Sequence, residues 1–199
     1  MGFEISMYSQ KRADYINLPV DTTEQNRILK LIESVGNIRF KIGNCKEIPE
    51  LNGAAFAEKA TLNELNFLAK RIEEIGKEQT QICAYRALIS ELPDNICEAI
   101  NCTYGLETVP VYPCENVEEY GEIVLDNDFL EELEEIPYEL YDLLDRDKVG
   151  ALMQEREGGM FINGYYVIPS EYEPVLAYDG VVLPDPEEEN TVEMEVEML

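Results

Sequence analysis

The absence of histidine from all 199 residues limits the chemistry open to this chain. Histidine is the side chain most often used as a general base near neutral pH, and it is the commonest metal ligand. Sites of the Ser-His-Asp and Cys-His types are therefore excluded. Nucleotide-binding glycine fingerprints are also missing, since Gly158-Gly159 precedes a predicted strand. Carboxylates and thiols remain as the main reactive groups.

The five cysteines are poorly spaced for metal binding. Cys97-x4-Cys102-x11-Cys114 is the closest arrangement, whereas structural zinc usually draws on tighter pairs, often with histidine. With Cys45 and Cys83 the number is odd, which suits a reducing compartment better than a disulfide framework. We expect buried free thiols, and no metal ion or other cofactor.

Carboxylates could also bind a cation or act as an acid and base pair. The run 145–150 superficially resembles a calcium loop, but its position 5 is Val149 and its position 12 is Arg156. Two carboxylates would suffice for glycoside hydrolysis, although such sites usually need stacking aromatics and the chain has no Trp. Because no motif assigns a nucleophile or a base, we expect a non-catalytic protein and keep a carboxylate-based hydrolase as a remote alternative.

Negative charge is the dominant feature of the composition. Forty-two acids against fifteen bases give a net charge of -27, and residues 101–199 carry twenty-seven of the acids with only three bases. Self-repulsion of this size destabilises a compact state and exceeds what solubility requires. A polyanionic face repels nucleic acid and anionic membranes, so its natural partner is a basic groove, a basic protein or a cation.

The acids are densest from Glu115 to Asp147, where fourteen of them accompany one base, Arg146. Neighbours three or four residues apart on a helix lie about 5–6 Å apart, which is comparable with the charge spacing along a duplex strand. The alternative is that these acids form a solvated helix face that only keeps the protein soluble. The candidate partner-binding residues are Glu118, Glu119, Glu122, Asp126, Asp128, Glu131, Glu132, Glu134, Glu135, Glu139, Asp142, Asp145 and Asp147.

The elements that carry these acids are predicted from capping signals and apolar spacing. Capping boxes at 21–24 and 61–64 begin two amphipathic helices, and alternation predicts strands at 3–8 and 38–42. Further helices are expected around Tyr120, across 129–136 with four glutamates opposite the apolar face, and across 140–144. One strand is expected across 160–168.

These elements predict an α+β fold made of an elongated chain of small domains. They are an N-terminal α/β unit at 1–60, a central short-helix bundle at 61–102, a C-terminal acidic α+β unit at 103–170, and an acidic tail or added edge strand at 171–199. No apolar run approaches the roughly 20 residues needed to span a bilayer, and the N-terminus lacks a signal pattern. We therefore expect a cytoplasmic protein.

The order of several short motifs resembles the ArdA family of antirestriction proteins. They are Leu18-Pro19-Val20-Asp21, then 61–68 (TLNELNFL), then Val111-Tyr112-Pro113, and finally 144–150 (LDRDKVG) before Gly164-Tyr165-Tyr166-Val167. The resemblance covers residues 15 to 168. It implies a three-domain protein, usually a homodimer through its C-terminal part, that imitates DNA, occupies the DNA site of Type I restriction-modification enzymes and travels on mobile elements.

Two features depart from that family pattern. The first hundred residues have a net charge of only -3, and the sequence after Ser170 extends past the resemblance. The runner-up hypothesis is an acidic module or regulator, carried by a mobile element, that binds another basic protein. Recovery of a basic partner unrelated to restriction would favour it, whereas a cleft with two facing, mutually shifted acids would favour the hydrolase.

Overall fold

The computed structural model describes residues 2–9, 13–90, 93, 95–133 and 136–184, without the side chains of Glu139 and Asp142. These residues form a mixed α+β structure, which confirms the predicted fold class. The strands are β1 Phe3–Tyr8, β2 Ala13–Leu18, β3 Arg39–Asn44, β4 Val111–Pro113, β5 Met160–Ile162 and β6 Tyr165–Val167. The α-helices are α1 Thr22–Val35, α2 Leu62–Ile75, α3 Gln79–Leu88, α4 Ile96–Asn101, α5 Val117–Asp126 and α6 Arg146–Glu157.

Residue contacts divide the chain into two compact units. The first holds the described residues within 1–74, 92–104 and 174–199, and the second holds those within 75–91 and 105–173. The central segment predicted as one helical bundle, 61–102, gives α2 and α4 to the first unit and α3 to the second. Each unit is therefore assembled from separate stretches of sequence.

The first unit contains an antiparallel sheet of order β2-β1-β3. Phe3, Ile5 and Met7 alternate along β1 and are buried, as expected for a strand with one face on the core. The predicted strands at 3–8 and 38–42 are confirmed. Strand β2 was not predicted, because its register is set by pairing with β1.

Both predicted helix starts are confirmed, and the capping box at 61–64 is complete. The Asp21 carboxylate accepts a hydrogen bond from the Glu24 N–H at 2.8 Å and begins α1. At the start of α2, the Thr61 hydroxyl accepts from the Glu64 N–H at 3.2 Å, while the Glu64 carboxylate accepts from the Thr61 N–H at 2.7 Å. Each cap satisfies a backbone donor that the first helical turn leaves unpaired.

Buried Asn66 connects helix α2 to the Leu18–Asp21 segment that precedes α1. Its side-chain oxygen accepts from the Val20 N–H at 2.7 Å, and its amide nitrogen donates to the Val20 carbonyl at 3.1 Å. A buried amide with both ends satisfied fixes the segment that precedes α1 onto α2.

The sequence after Ser170 is anchored to the first unit through Tyr178. The backbone N–H and C=O of this buried residue pair with the Asn101 side chain at 2.8 and 2.9 Å, and its hydroxyl donates to Glu64 at 3.0 Å. Residues 174–184 form neither a helix nor a strand. The alternation from Val192 to Met198 lies outside the described residues.

The second unit contains an antiparallel sheet of order β4-β6-β5. The single strand expected across 160–168 is wrong, because the chain turns back at Asn163 and Gly164, whose φ angles are 51° and 83°. Two consecutive positive φ angles are what a two-residue hairpin turn requires, and Asn-Gly adopts them most readily.

The helix predicted across 129–136 is also wrong. A short 3-10 helix, Glu131–Leu133, occupies its described part, and a second one, Tyr138–Leu143, follows Pro137. Asp128 has a φ of 54°, which breaks the helical path after α5, and close glutamates repel each other in an α-helix. The helix predicted around Tyr120 is confirmed as α5, whereas α6 was not predicted.

Candidate functional site

Helices α5 and α6 carry Glu118, Glu119, Glu122, Asp126 and Asp147 of the predicted acidic site, with Asp145 as the N-cap of α6, and the two helices touch backbone to backbone. A Cβ atom on Gly121 would overlap the Arg146 carbonyl oxygen, and one on Gly150 would overlap the Val117 carbonyl oxygen. Two glycines facing each other allow this close approach, because any side chain would separate the helices. The acids of α5 and of the first turn of α6 are thus held on a rigid pair.

Glu119 has a local structural role at the start of α5. Its N–H donates to the Asn116 side-chain oxygen at 3.0 Å, and its carboxylate accepts from the Glu115 N–H at 2.7 Å. The first bond is the N-cap of α5, and the second reaches the residue before the N-cap, so Glu119 holds the chain where it enters the helix. The carboxylate therefore stabilises α5 while remaining on the surface.

Asp145 likewise caps α6. Its carboxylate accepts from the Lys148 N–H at 3.3 Å and lies 2.9 Å from the Lys148 ammonium. Hydrogen bonds from Lys148, first from its side chain, lower the pKa of Asp145 below its ordinary value. The segment that superficially resembled a calcium loop is a helix start, and the described residues contain no cluster of three or more acids and cysteines that could hold a metal ion.

All three cations of residues 101–199 are paired with predicted site acids. The Arg146 guanidinium lies 3.6 Å from Glu122, and Lys148 pairs with Asp145. Arg156 makes two hydrogen bonds to Glu132, at 2.5 and 3.1 Å, which lower the pKa of that carboxyl to about 2. Glu118, Asp126 and Asp147 are exposed, and none of them is in an ion pair with these three cations.

Glu118, Glu122 and Asp126 form the most regular acidic row. They recur every fourth residue on α5 and are all exposed, so they span about 12 Å along the helix axis at 1.5 Å per residue. Within the described chain, Glu118 and Asp126 make no side-chain hydrogen bond or ion pair.

The other predicted acids either lie near helices α5 and α6 or belong to residues and side chains that the structure does not describe. Asp128 accepts a hydrogen bond from the Tyr141 hydroxyl at 3.3 Å. Arg156 connects the turn that carries Glu131 and Glu132 to the last turn of α6. The predicted site acids outside α5 that are exposed are Asp128, Glu131, Glu132, Asp145 and Asp147. Glu134 and Glu135 lie outside the described residues, as do the side chains of Glu139 and Asp142.

One carboxylate that the sequence did not single out lies beneath α5. Glu157 accepts hydrogen bonds from the hydroxyls of Tyr120 and Tyr166, at 2.6 and 3.2 Å, and the two rings are 3.8 Å apart between centroids. Burial, followed by the nearby Glu157 charge, raises the pKa of both phenols, so they stay protonated donors. This network fixes α5 on the aromatic core of the second unit.

The cysteines are free thiols, as expected, and three of the five are buried. Burial raises the pKa of Cys45 and Cys102 to about 11 in each case. Since the thiolate is the reactive form, these two side chains are poor nucleophiles near neutral pH.

A cleft relevant to the hydrolase alternative lies in the first unit. It has a volume of about 310 Å³, and its wall contains Glu4, Glu47 and Lys46. None of these residues belongs to the acidic stretch of 115–147.

The sheet of the first unit presents a chemically different surface. Tyr15, Ser6 and Lys41 lie side by side across its three strands, and Tyr15 is 70% exposed. In the next row, Arg39 pairs in register with Tyr8. Cations and tyrosines on this face do not resemble a row of phosphates.

None of the helices in the described ranges has the length and apolar character required to cross a membrane. No protein-family model matches the chain, and no curated protein matches it in sequence.

Proposed function

We propose that this chain is a non-catalytic inhibitor that imitates DNA and occupies the DNA-binding groove of a restriction-modification enzyme. The observation that carries the proposal is the rigid α5–α6 pair, whose exposed acids recur at helical spacing while the three cations of this half are engaged in ion pairs. Acids about 6 Å apart along a helix can meet the cations that otherwise contact phosphates.

The target class follows from the motif order that resembles ArdA proteins. We propose a Type I restriction-modification enzyme as the partner, a cytoplasmic site of action and a homodimeric inhibitor carried by a mobile element. Folded acids on a fixed scaffold support this function better than a solubilising role does, because the glycine crossing and the capping carboxylates hold the row in place.

The first prediction concerns the acidic row on α5. Replacing it in the variant Glu118→Gln/Glu122→Gln/Asp126→Asn should weaken inhibition on the order of tenfold, because exposed charge pairs contribute about 0.2–1 kcal/mol each. DNA cleavage by a purified Type I enzyme, titrated with the inhibitor at low salt, measures the effect. Inhibition by the unaltered chain should also weaken as salt rises, since salt screens exposed charges.

The matched control removes three exposed acids elsewhere, in Glu33→Gln/Glu78→Gln/Glu107→Gln. It should inhibit nearly as well as the unaltered chain. Equal losses in both variants would show that net charge, and not this surface, matters. Failure of the unaltered chain to inhibit at saturating concentration and low salt would reject the proposal, and capture of a basic partner unrelated to restriction would favour the interaction-module alternative.

A further inference from the structure

Large apolar side chains are exposed in the middle of the acidic stretch. In the 3-10 helix Tyr138–Leu143, Tyr138 is 71% exposed, Leu140 45% and Leu143 79%. A 3-10 helix has three residues per turn, so Leu140 and Leu143 lie on the same side of it. This pair and Tyr138 are called the apolar anchor below.

The backbone that carries the anchor is fixed to the second unit. The Tyr141 hydroxyl lies 3.3 Å from both the Asp128 carboxylate and the Leu133 carbonyl oxygen, and its ring is 5.1 Å from that of Tyr138 between centroids. Tyr141 and Leu144 also pack against the hydrophobic core of this unit. Leu140 and Leu143 therefore project into solvent from a segment that these contacts fix to the second unit.

Exposed apolar groups surrounded by polar ones are typical of protein-binding surfaces, where a few large side chains provide most of the affinity. Solubility alone does not explain them, because a solubilising acidic face would have polar residues at these positions. We propose that the apolar anchor inserts into an apolar depression beside the basic groove of the protein that the acidic surface binds. This inference rests on the proposed function and deepens it.

The negative charge of the surrounding sequence favours a basic protein, and not a second copy of this chain, as the partner of the apolar anchor. Residues 115–147 contain fourteen acids and one base, so two copies meeting through this patch would face like charges on both sides. Like-charge juxtaposition disfavours an interface, whereas a basic protein surface complements it. The partner is therefore a protein with an apolar pocket rimmed by lysine and arginine.

The anchor adds a contribution to binding that salt does not screen. Burial of leucine and tyrosine side chains is insensitive to moderate ionic strength, whereas attraction between exposed charges weakens as the screening length falls. The two contributions can be separated by measuring affinity at several salt concentrations.

The experiment measures the dissociation constant for a purified Type I restriction-modification enzyme between low and moderate salt. Leu140→Ser/Leu143→Ser should weaken binding on the order of tenfold at every salt concentration and leave the salt dependence unchanged. The α5 acid variant should instead make the salt dependence shallower. Leu143→Met, which keeps an apolar side chain of similar size, should bind like the unaltered chain.

The matched control is Leu176→Ser/Val181→Ser, because both residues are 80% exposed and lie outside the acidic stretch. It should have no effect on binding, and thermal unfolding should show that every variant is folded. Equal binding by the Leu140/Leu143 variant and the unaltered chain would overturn the anchor while leaving the mimicry proposal intact. The anchor would also be overturned if, in sedimentation experiments, the unaltered chain and the other variants were dimers and only Leu140→Ser/Leu143→Ser were a monomer. Absence of binding by the unaltered chain would instead reject the proposed function.

Discussion

Glu132 and Arg156 show that individual carboxylates in the acidic surface differ in their chemical state. Two hydrogen bonds from the guanidinium hold the pKa of Glu132 at about 2, compared with an ordinary value of 4.5. Glu118 and Asp126 have no such partner among the described residues. A protein cation approaching this surface therefore meets some acids that are free to pair and others that are already paired.

Titration of Glu132 provides a prediction at the residue scale. Because the folded pKa is lowered, the ion pair stabilises the fold above about pH 4.5, and this contribution is lost as pH falls toward about 2. Replacing Arg156→Gln should return the pKa of Glu132 toward 4.5, as followed by NMR of the side-chain carboxyl. Arg146→Gln also removes a cation, yet it should leave Glu132 unchanged, because Arg146 pairs with Glu122. A Glu132 midpoint that stays low in Arg156→Gln would contradict this assignment.

The α5–α6 contact provides a prediction at the element scale. Replacing glycine by alanine inside a helix normally stabilises it by about 0.5–1 kcal/mol. Gly121→Ala and Gly150→Ala should do the opposite and destabilise the fold by about 1–3 kcal/mol, because the new methyl group overlaps a backbone carbonyl of the other helix. Urea unfolding of each variant measures the change.

Gly43→Ala is the control for that prediction. A Cβ atom there would be 3.8 Å from its nearest neighbours, so the substitution should cost much less. If Gly121→Ala and Gly150→Ala were as stable as the unaltered chain, the two helices could not be packed backbone to backbone.

Elements defined by local signals could be predicted from the sequence. Asp21 and Thr61 begin helices by hydrogen bonds within the first turn, so a four-residue pattern is sufficient to locate them. Strand β2 depends instead on its pairing with β1, which no local pattern specifies. The Asn163-Gly164 hairpin did have a local signal, but continuous apolar character from 160 to 168 concealed it.

The candidate site was harder to predict because its geometry is tertiary. Only Val149, Gly150 and Met153 of α6 are buried, so the helix lacks a wide apolar stripe, and it packs through Gly150 against Gly121. The spacing of the glutamates after Phe129 predicted one face of an α-helix. The positive φ angle of Asp128 instead changes the direction of the chain before that segment begins. The pairing of Glu132 with Arg156, twenty-four residues away, could not be read from spacing.

At the scale of the whole molecule, charge is segregated along the sequence. Residues 1–100 carry twelve of the fifteen bases, and the first unit shows Lys41 and Arg39 on the outer face of its sheet. Under the mimicry proposal, the acidic surface around α5 and α6 in the second unit then makes the main contact with the target. This differs from the acidity along the full length that the ArdA resemblance implies.

The same charge predicts opposite effects of salt on stability and on binding. A net charge of -27 repels itself in the folded state, and the screening length falls from about 30 Å at 0.01 M to about 3 Å at 1 M salt. The thermal unfolding midpoint should therefore rise with sodium chloride while inhibition weakens. Glu118→Gln/Glu122→Gln/Asp126→Asn should have a higher midpoint than the unaltered chain at low salt and a smaller increase with salt. A midpoint independent of salt would mean that the acids are too far apart to repel one another, and acids so dispersed could not imitate the closely spaced phosphates of a duplex.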